Sequence, residues 1–209
     1  MKQVIGQSFA EYGFSVVNDV INEETAELCI TQFQMHANFL HKRHTAEITD
    51  YRWADPMVNN SFSAYGQIWA DSLMLMLLPK VSNITGITLL PCYSYARMYY
   101  PGAVMHRHTD RPSCEISITL TLGVKGDIWP IYIEGYDNKT NELFLAPRSM
   151  LVYRGTELPH WRNEQSSRTK VQYQVFCHYV DAKGPYNFHV FDGRPVLGIE
   201  QISDNVNMR

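Results

Sequence analysis

The sequence predicts a helical N-terminal region followed by one all-β unit, a sandwich or barrel. Three observations carry this. Apolar residues in the first third recur at helical spacing. From about residue 87 the apolar runs become short and rich in Val, Ile, Thr and Tyr. Turn residues then punctuate them at Pro101-Gly102, Gly123, Gly126, Asp137-Asn138 and Gly155, a rhythm of many short strands.

The first helix begins at Asn22. This is a good cap residue, and Glu23 and Glu24 put negative charge in the first turn. Ala26, Cys29, Ile30, Phe33 and Phe39 form its apolar stripe. A second helix is expected from Ala64 to about Val81, with Pro79 ending or kinking it. Strands are expected over residues 88–100, 115–122, 131–133, 143–145, 149–153 and 170–179. In the second of these, Ile116, Ile118, Leu120 and Leu122 alternate with Ser117, Thr119 and Thr121. If the apolar face packs on helices, the hydroxyl face lines the interior.

Composition excludes several classes. The chain has 209 residues, 45% of them apolar and 19% charged, which is globular and not disordered. With 18 Lys and Arg against 21 Asp and Glu, nothing suggests a nucleic-acid partner. The longest apolar run, Leu73–Leu78, is too short to span a bilayer. Residues 1–7 have no apolar core, and the four cysteines are far apart. The expectation is a soluble cytoplasmic protein with reduced thiols. The unusual counts are 13 Tyr and 8 His.

His106, His108 and Asp110 recur at a spacing of two, which puts them on one face of an extended chain. His160, in Leu158-Pro-His-Trp161, follows a β-rich stretch long enough to cross a sandwich and return. His108, Asp110 and His160 would give two imidazoles and one carboxylate around a metal. That is the facial arrangement of non-haem Fe(II) oxygenases. His106 competes with His108, and the spacing to the carboxylate selects His108.

Tyr100-Pro-Gly, His108-Thr-Asp110, Pro147–Gly155 and His160 together resemble the Fe(II)/2-oxoglutarate-dependent dioxygenase superfamily, in its prolyl 4-hydroxylase-like branch. The likeness runs from about residue 87 to 190. It extends through Asp110–Glu115, Trp129–Ile131 and Gln174–Tyr179 to small members of that branch from bacteria and phages. It implies a double-stranded β-helix, or jelly roll, packed on supporting helices. Residues 1–86 would be the helical support, 87–190 the catalytic core and 191–209 a tail, all one integrated domain. It implies Fe(II) held by His108, Asp110 and His160, with 2-oxoglutarate as co-substrate, O2, and ascorbate as reductant. Oxidative decarboxylation to succinate and CO2 would be coupled to hydroxylation of a peptidyl (prolyl) or small-molecule substrate. Lys170 is the first choice for the distal carboxylate of 2-oxoglutarate, Arg168 the second and Arg162 an outside candidate. Tyr100 is expected to hydrogen-bond the co-substrate. Arg111 is expected to orient Asp110, meet substrate or form a surface ion pair.

Two rival readings remain. A cupin-type metalloprotein would use His106, His108 and Glu115 as ligands. A non-catalytic binding module would keep the fold alone.

Overall fold

The computed structural model describes residues 9–42, 53–55 and 57–198. Expectations for residues 1–86 and 191–209 therefore fall partly outside the described residues. A short helix α1 (Phe9–Tyr12) leads into strand β1 (Phe14–Val17) and helix α2 (Glu23–Lys42). Then come β2 (Trp53–Asp55), β3 (Val58–Tyr65) and helix α3 (Ile68–Thr85). The remaining strands are β4 (Leu89–Tyr99), β5 (Met105–His108), β6 (Ile116–Gly126), β7 (Ile131–Glu134), β8 (Thr140–Leu143), β9 (Met150–Arg154), β10 (His160–Arg162) and β11 (Thr169–Asp181). A 3-10 segment at Asn187–Gly193 follows.

A seven-stranded sheet in the order β1-β9-β6-β11-β4-β3-β2 faces a four-stranded sheet in the order β5-β10-β7-β8. All pairings are antiparallel. This is the double-stranded β-helix. The outer face of the large sheet carries the helices. Phe33 of α2 and Leu73, Met74 and Leu77 of α3 pack on Ile118, Leu120, Val175 and Tyr179. Between the sheets lies a second core of Tyr99, Met105, Trp129, Ile131, Tyr153 and Phe176. The alternation of β6 is resolved as expected: its aliphatic face meets the helices, and Ser117, Thr119 and Thr121 are all buried.

Asn22 caps α2, its Oδ1 accepting the Thr25 N–H at 2.9 Å. The second helix differs from expectation at both ends. Ala64 and Tyr65 pair with Ala96 and Tyr95 in the sheet, and Gly66 at φ 59° turns the chain before the helix starts. The helix then runs through Pro79 to Thr85 and ends on Gly86 in the left-handed conformation. Pro79 is tolerated because it lies on the exposed face, where water can reach the Leu75 carbonyl it leaves unpaired. The first third is also less purely helical than expected, since β1, β2 and β3 all join the large sheet. Such short strands take their conformation from the partners they pair with, more than from intrinsic preference.

Candidate active site

His108 closes β5 and His160 opens β10, and the two are register partners across the small sheet. Asp110 follows just beyond β5, its backbone N–H donating to Gly155 O at 2.8 Å. The ligand atoms of His108, Asp110 and His160 all lie within 4.8 Å of one another. Both imidazole Nε2 atoms are 3.6 Å from Asp110 Oδ1.

The ring orientations are fixed from behind. His108 Nδ1 lies 2.8 Å from His106 O, and His160 Nδ1 lies 3.0 Å from Leu158 O. A carbonyl can only accept, so each Nδ1 carries a proton and each ring turns its Nε2 towards Asp110. Ser117 Oγ donates to Asp110 Oδ2 at 3.0 Å, leaving Oδ1 for the convergence point. Ser117 Oγ also lies 2.9 Å from His178 Nδ1. Burial pushes the Asp110 carboxyl up. Hydrogen bonds to His108 and His160, with charge from His160, outweigh that and hold it well below the usual carboxylate range. Its hydrogen bond raises His108 in turn, against burial. Burial lowers His178 to about 4 and keeps it neutral.

Gly155 is required by space. A Cβ there would stand 2.3 Å from Cys114 O and 2.5 Å from Asp110 Oδ2. The cluster opens into a cavity of about 520 Å³ walled by Tyr65, Tyr93, Tyr95, Arg97, Arg111 and Phe176.

The basic residues are distributed otherwise than expected. Lys170 is exposed, near the start of β11. Arg168 is 80% exposed and pairs with Asp127 at 3.0 Å on the outside. Arg162, two residues after His160, is 1% exposed inside the barrel. Its Nη1 donates to Trp129 O, while Nε and Nη2 have no partner. Tyr99 Oη, Thr121 Oγ1 and Gln174 Oε1 are likewise buried without partners. Burial lowers Arg162 to about 10, though a guanidinium keeps its proton at neutral pH.

Tyr100 packs on the helix side, its hydroxyl donating to Met98 Sδ at 3.7 Å. Its neighbour Tyr99 faces the interior, with its ring 6.0 Å from the Arg162 guanidinium carbon. Sequence reading missed Tyr99, because a shift of one residue exchanges the faces of a strand. The Tyr-Tyr pair was the available signal.

His106 is exposed, unlike the same-face expectation. A bulge between β5 and β10 pairs His160 with His108 but Arg162 with Met105. The extra residue on β5 turns Met105 inward in place of His106. Glu115 stands apart too: its Oε2 accepts the Asp181 N–H at 2.8 Å. Among the described residues, the other group able to hold a metal is Asp110, Cys114 and His178, which shares the same carboxylate.

This is a double-stranded β-helix with a His-Asp-His cluster in its mouth, the fold of 2-oxoglutarate Fe(II) oxygenases. No family model and no curated protein matches the chain. Solved structures do. A prolyl 4-hydroxylase from Pseudomonas putida superposes with a TM-score of 0.60 at 15% identity, covering 83% of this chain and 96% of that one. HygX from Streptomyces hygroscopicus, with nickel, 2-oxoglutarate and hygromycin B bound, gives 0.63 at 12% identity, over 84% and 85%. A prolyl hydroxylase from Trichoplax adhaerens, in complex with a hypoxia inducible factor peptide fragment, gives 0.62 at 13% identity, over 86% and 88%.

Proposed function

We propose that this protein is a non-haem Fe(II)- and 2-oxoglutarate-dependent oxygenase. His108, Asp110 and His160 are its metal ligands. The observation that carries the reading is the convergence of two imidazole Nε2 atoms on one carboxylate oxygen, each at 3.6 Å. These groups repel one another unless a cation or proton lies between them. Two imidazoles and one carboxylate suit Fe(II) and leave positions open for other ligands.

The interior fits the co-substrate. A buried guanidinium with two unpartnered nitrogens, 6.0 Å from the ring of Tyr99, whose hydroxyl is also unpartnered, is an incomplete anion site. Arg162 is therefore the group we assign to the distal carboxylate of 2-oxoglutarate, with Tyr99 beside it. Lys170, Arg168 and Tyr100 are not within the barrel. Held there, Fe(II) with 2-oxoglutarate and O2 would supply the oxidant for hydroxylating a C–H bond, with release of succinate and CO2.

The chain's own residues prepare that chemistry. The His106 and Leu158 carbonyls hold the two imidazole tautomers, and Ser117 holds one Asp110 oxygen back from the metal. Ile131 and Phe176 form an apolar wall that limits water around the cluster, and the Tyr153 hydroxyl lies 3.5 Å from His160 Nε2. The substrate is a peptide, prolyl residues included, or a small molecule. The two kinds of ligand in the similar structures support both. Ascorbate would serve as a reductant.

The test is anaerobic addition of Fe(II) and 2-oxoglutarate, read by the visible absorption of the chelate, followed by succinate formation in air. Asp110→Ala should abolish both, and Glu115→Ala should leave both largely intact. The opposite pattern would establish the cupin-type ligand set. Metal binding without any succinate would favour a binding module.

A further inference from the structure

Arg111 follows Asp110 directly, yet turns away from it. Its Nη2 donates to Asp192 Oδ2 at 2.8 Å, and its guanidinium carbon lies 4.6 Å from the centroid of the Tyr93 ring. Asp192 is 8% exposed and also accepts the Tyr65 hydroxyl at 2.7 Å.

The backbone that delivers Asp192 is strained. Phe191, Asp192 and Gly193 have φ of 57°, 55° and 77° in succession, the first two without the freedom of glycine. A second anchor maintains this turn. Arg194, with a fully buried side chain, donates to Asp71 Oδ2 at 2.8 Å and to the carbonyls of Cys92 and Phe191. The Gly198 N–H reaches the same Asp71 oxygen. The segment is thus pinned to α3 on one side and directs a carboxylate at the cavity wall on the other. Strain concentrated where one side chain is aimed at a cavity points to a role for that side chain.

Tyr65, Tyr93 and Arg111 line the cavity above the metal cluster, as does Arg97, whose guanidinium carbon lies 4.9 Å from the Tyr95 ring centroid. Among the described lining residues, Asp110 is the lone carboxylate, and Arg97 and Arg111 are the permanent cations. Aromatic walls around fixed positive charge favour an anion over water.

We propose that Arg111 is the subsite that receives an anionic group of the substrate, a carboxylate or phosphate, and that Asp192 is the positioning residue that aims it. Calling the bound molecule a substrate rests on the oxygenase reading; the anion subsite does not. Asp192 occupies one nitrogen of the guanidinium fork, and the Tyr93 face supports its plane. The side chain is 51% exposed, so the guanidinium remains within reach of an acid in the cavity. The body of the substrate would lie along Tyr65 and Tyr93 towards the metal cluster.

The test uses the full chain carrying Arg162→Met, which removes the buried anion site, or the wild type saturated with 2-oxoglutarate if that variant is unfolded. Benzoate, phenyl phosphate and neutral benzamide are titrated by calorimetry. Both acids should bind about tenfold or more tightly than benzamide, as one charge-assisted contact predicts. The stronger acid tells whether the group is a carboxylate or a phosphate. Adding Arg111→Met should remove that preference and leave benzamide unchanged. Asp192→Asn should weaken it, and Asp192→Glu should restore part of it. Equal binding of acids and amide, or an acid preference that survives Arg111→Met, overturns the subsite. An unchanged preference in Asp192→Asn overturns the positioning role. The chelate absorption with Fe(II) and 2-oxoglutarate, measured in Arg111→Met alone, should persist. Its absence in every protein, with acid binding intact, would sink the oxygenase reading and spare the subsite.

Discussion

His160 Nε2 stands 3.6 Å from Asp110 Oδ1, although β6 to β9 all lie between them in the chain. Imidazole and carboxylate bind a cation only in their deprotonated forms. Metal binding should therefore release protons, and affinity should rise with pH through the histidine range. Competition titrations with Co(II) at two pH values would show it. An affinity that does not change with pH would contradict the pairing.

Arg162 carries a charge in a site that gives it one hydrogen bond and no counter-ion. Arg162→Met should leave the apo protein no less stable, because an uncompensated buried charge costs several kcal/mol. The same variant should bind 2-oxoglutarate about 10- to 100-fold more weakly and lose the thermal stabilisation that the co-substrate gives the parent. A large apo destabilisation with unchanged co-substrate affinity would assign Arg162 a purely structural role.

Gly155→Ala places a methyl group against the Cys114 carbonyl and the Asp110 carboxylate. The backbone cannot yield cheaply, so a loss of about 1–3 kcal/mol is expected in denaturant melts. Displacing Asp110 should also weaken metal binding by about 10- to 100-fold. Full metal affinity in a folded variant would show that Asp110 is not held by this contact.

His178 is lowered to about 4 by burial, below its value in the unfolded chain. The unfolded state then takes up the proton first as pH falls. The stability this group confers is complete above about pH 6.5 and is lost as pH falls towards 4, on the order of 3 kcal/mol at most. The stability difference between the parent and His178→Gln should shrink over that window in chemical denaturation. A constant difference would mean that His178 titrates normally.

Several features of this protein are legible in its residues. The His108-Thr-Asp110 spacing survives folding because two residues is one strand period, whatever packs around it. The Ser117, Thr119 and Thr121 alternation identifies the inward face of β6 once helices cover the other face. Gln172 and Gln174 share one parity on β11 and point into the barrel, whereas Lys170 sits at a register shift between Thr169 and Val171.

Depth along the barrel is not written in that parity. Lys170 is exposed near the start of β11, while Arg162 is enclosed by Trp129 and Tyr99. A bulge on β5 turned His106 out, and a one-residue difference in face separates Tyr99 from Tyr100. The sequence by itself determined which residue types could meet a metal and on which strands. The tertiary structure decided which cation is buried, which tyrosine faces it and that Asp192 reaches Arg111. Those outcomes depend on register, bulges and strand partners distant in the chain, which local periodicity does not encode.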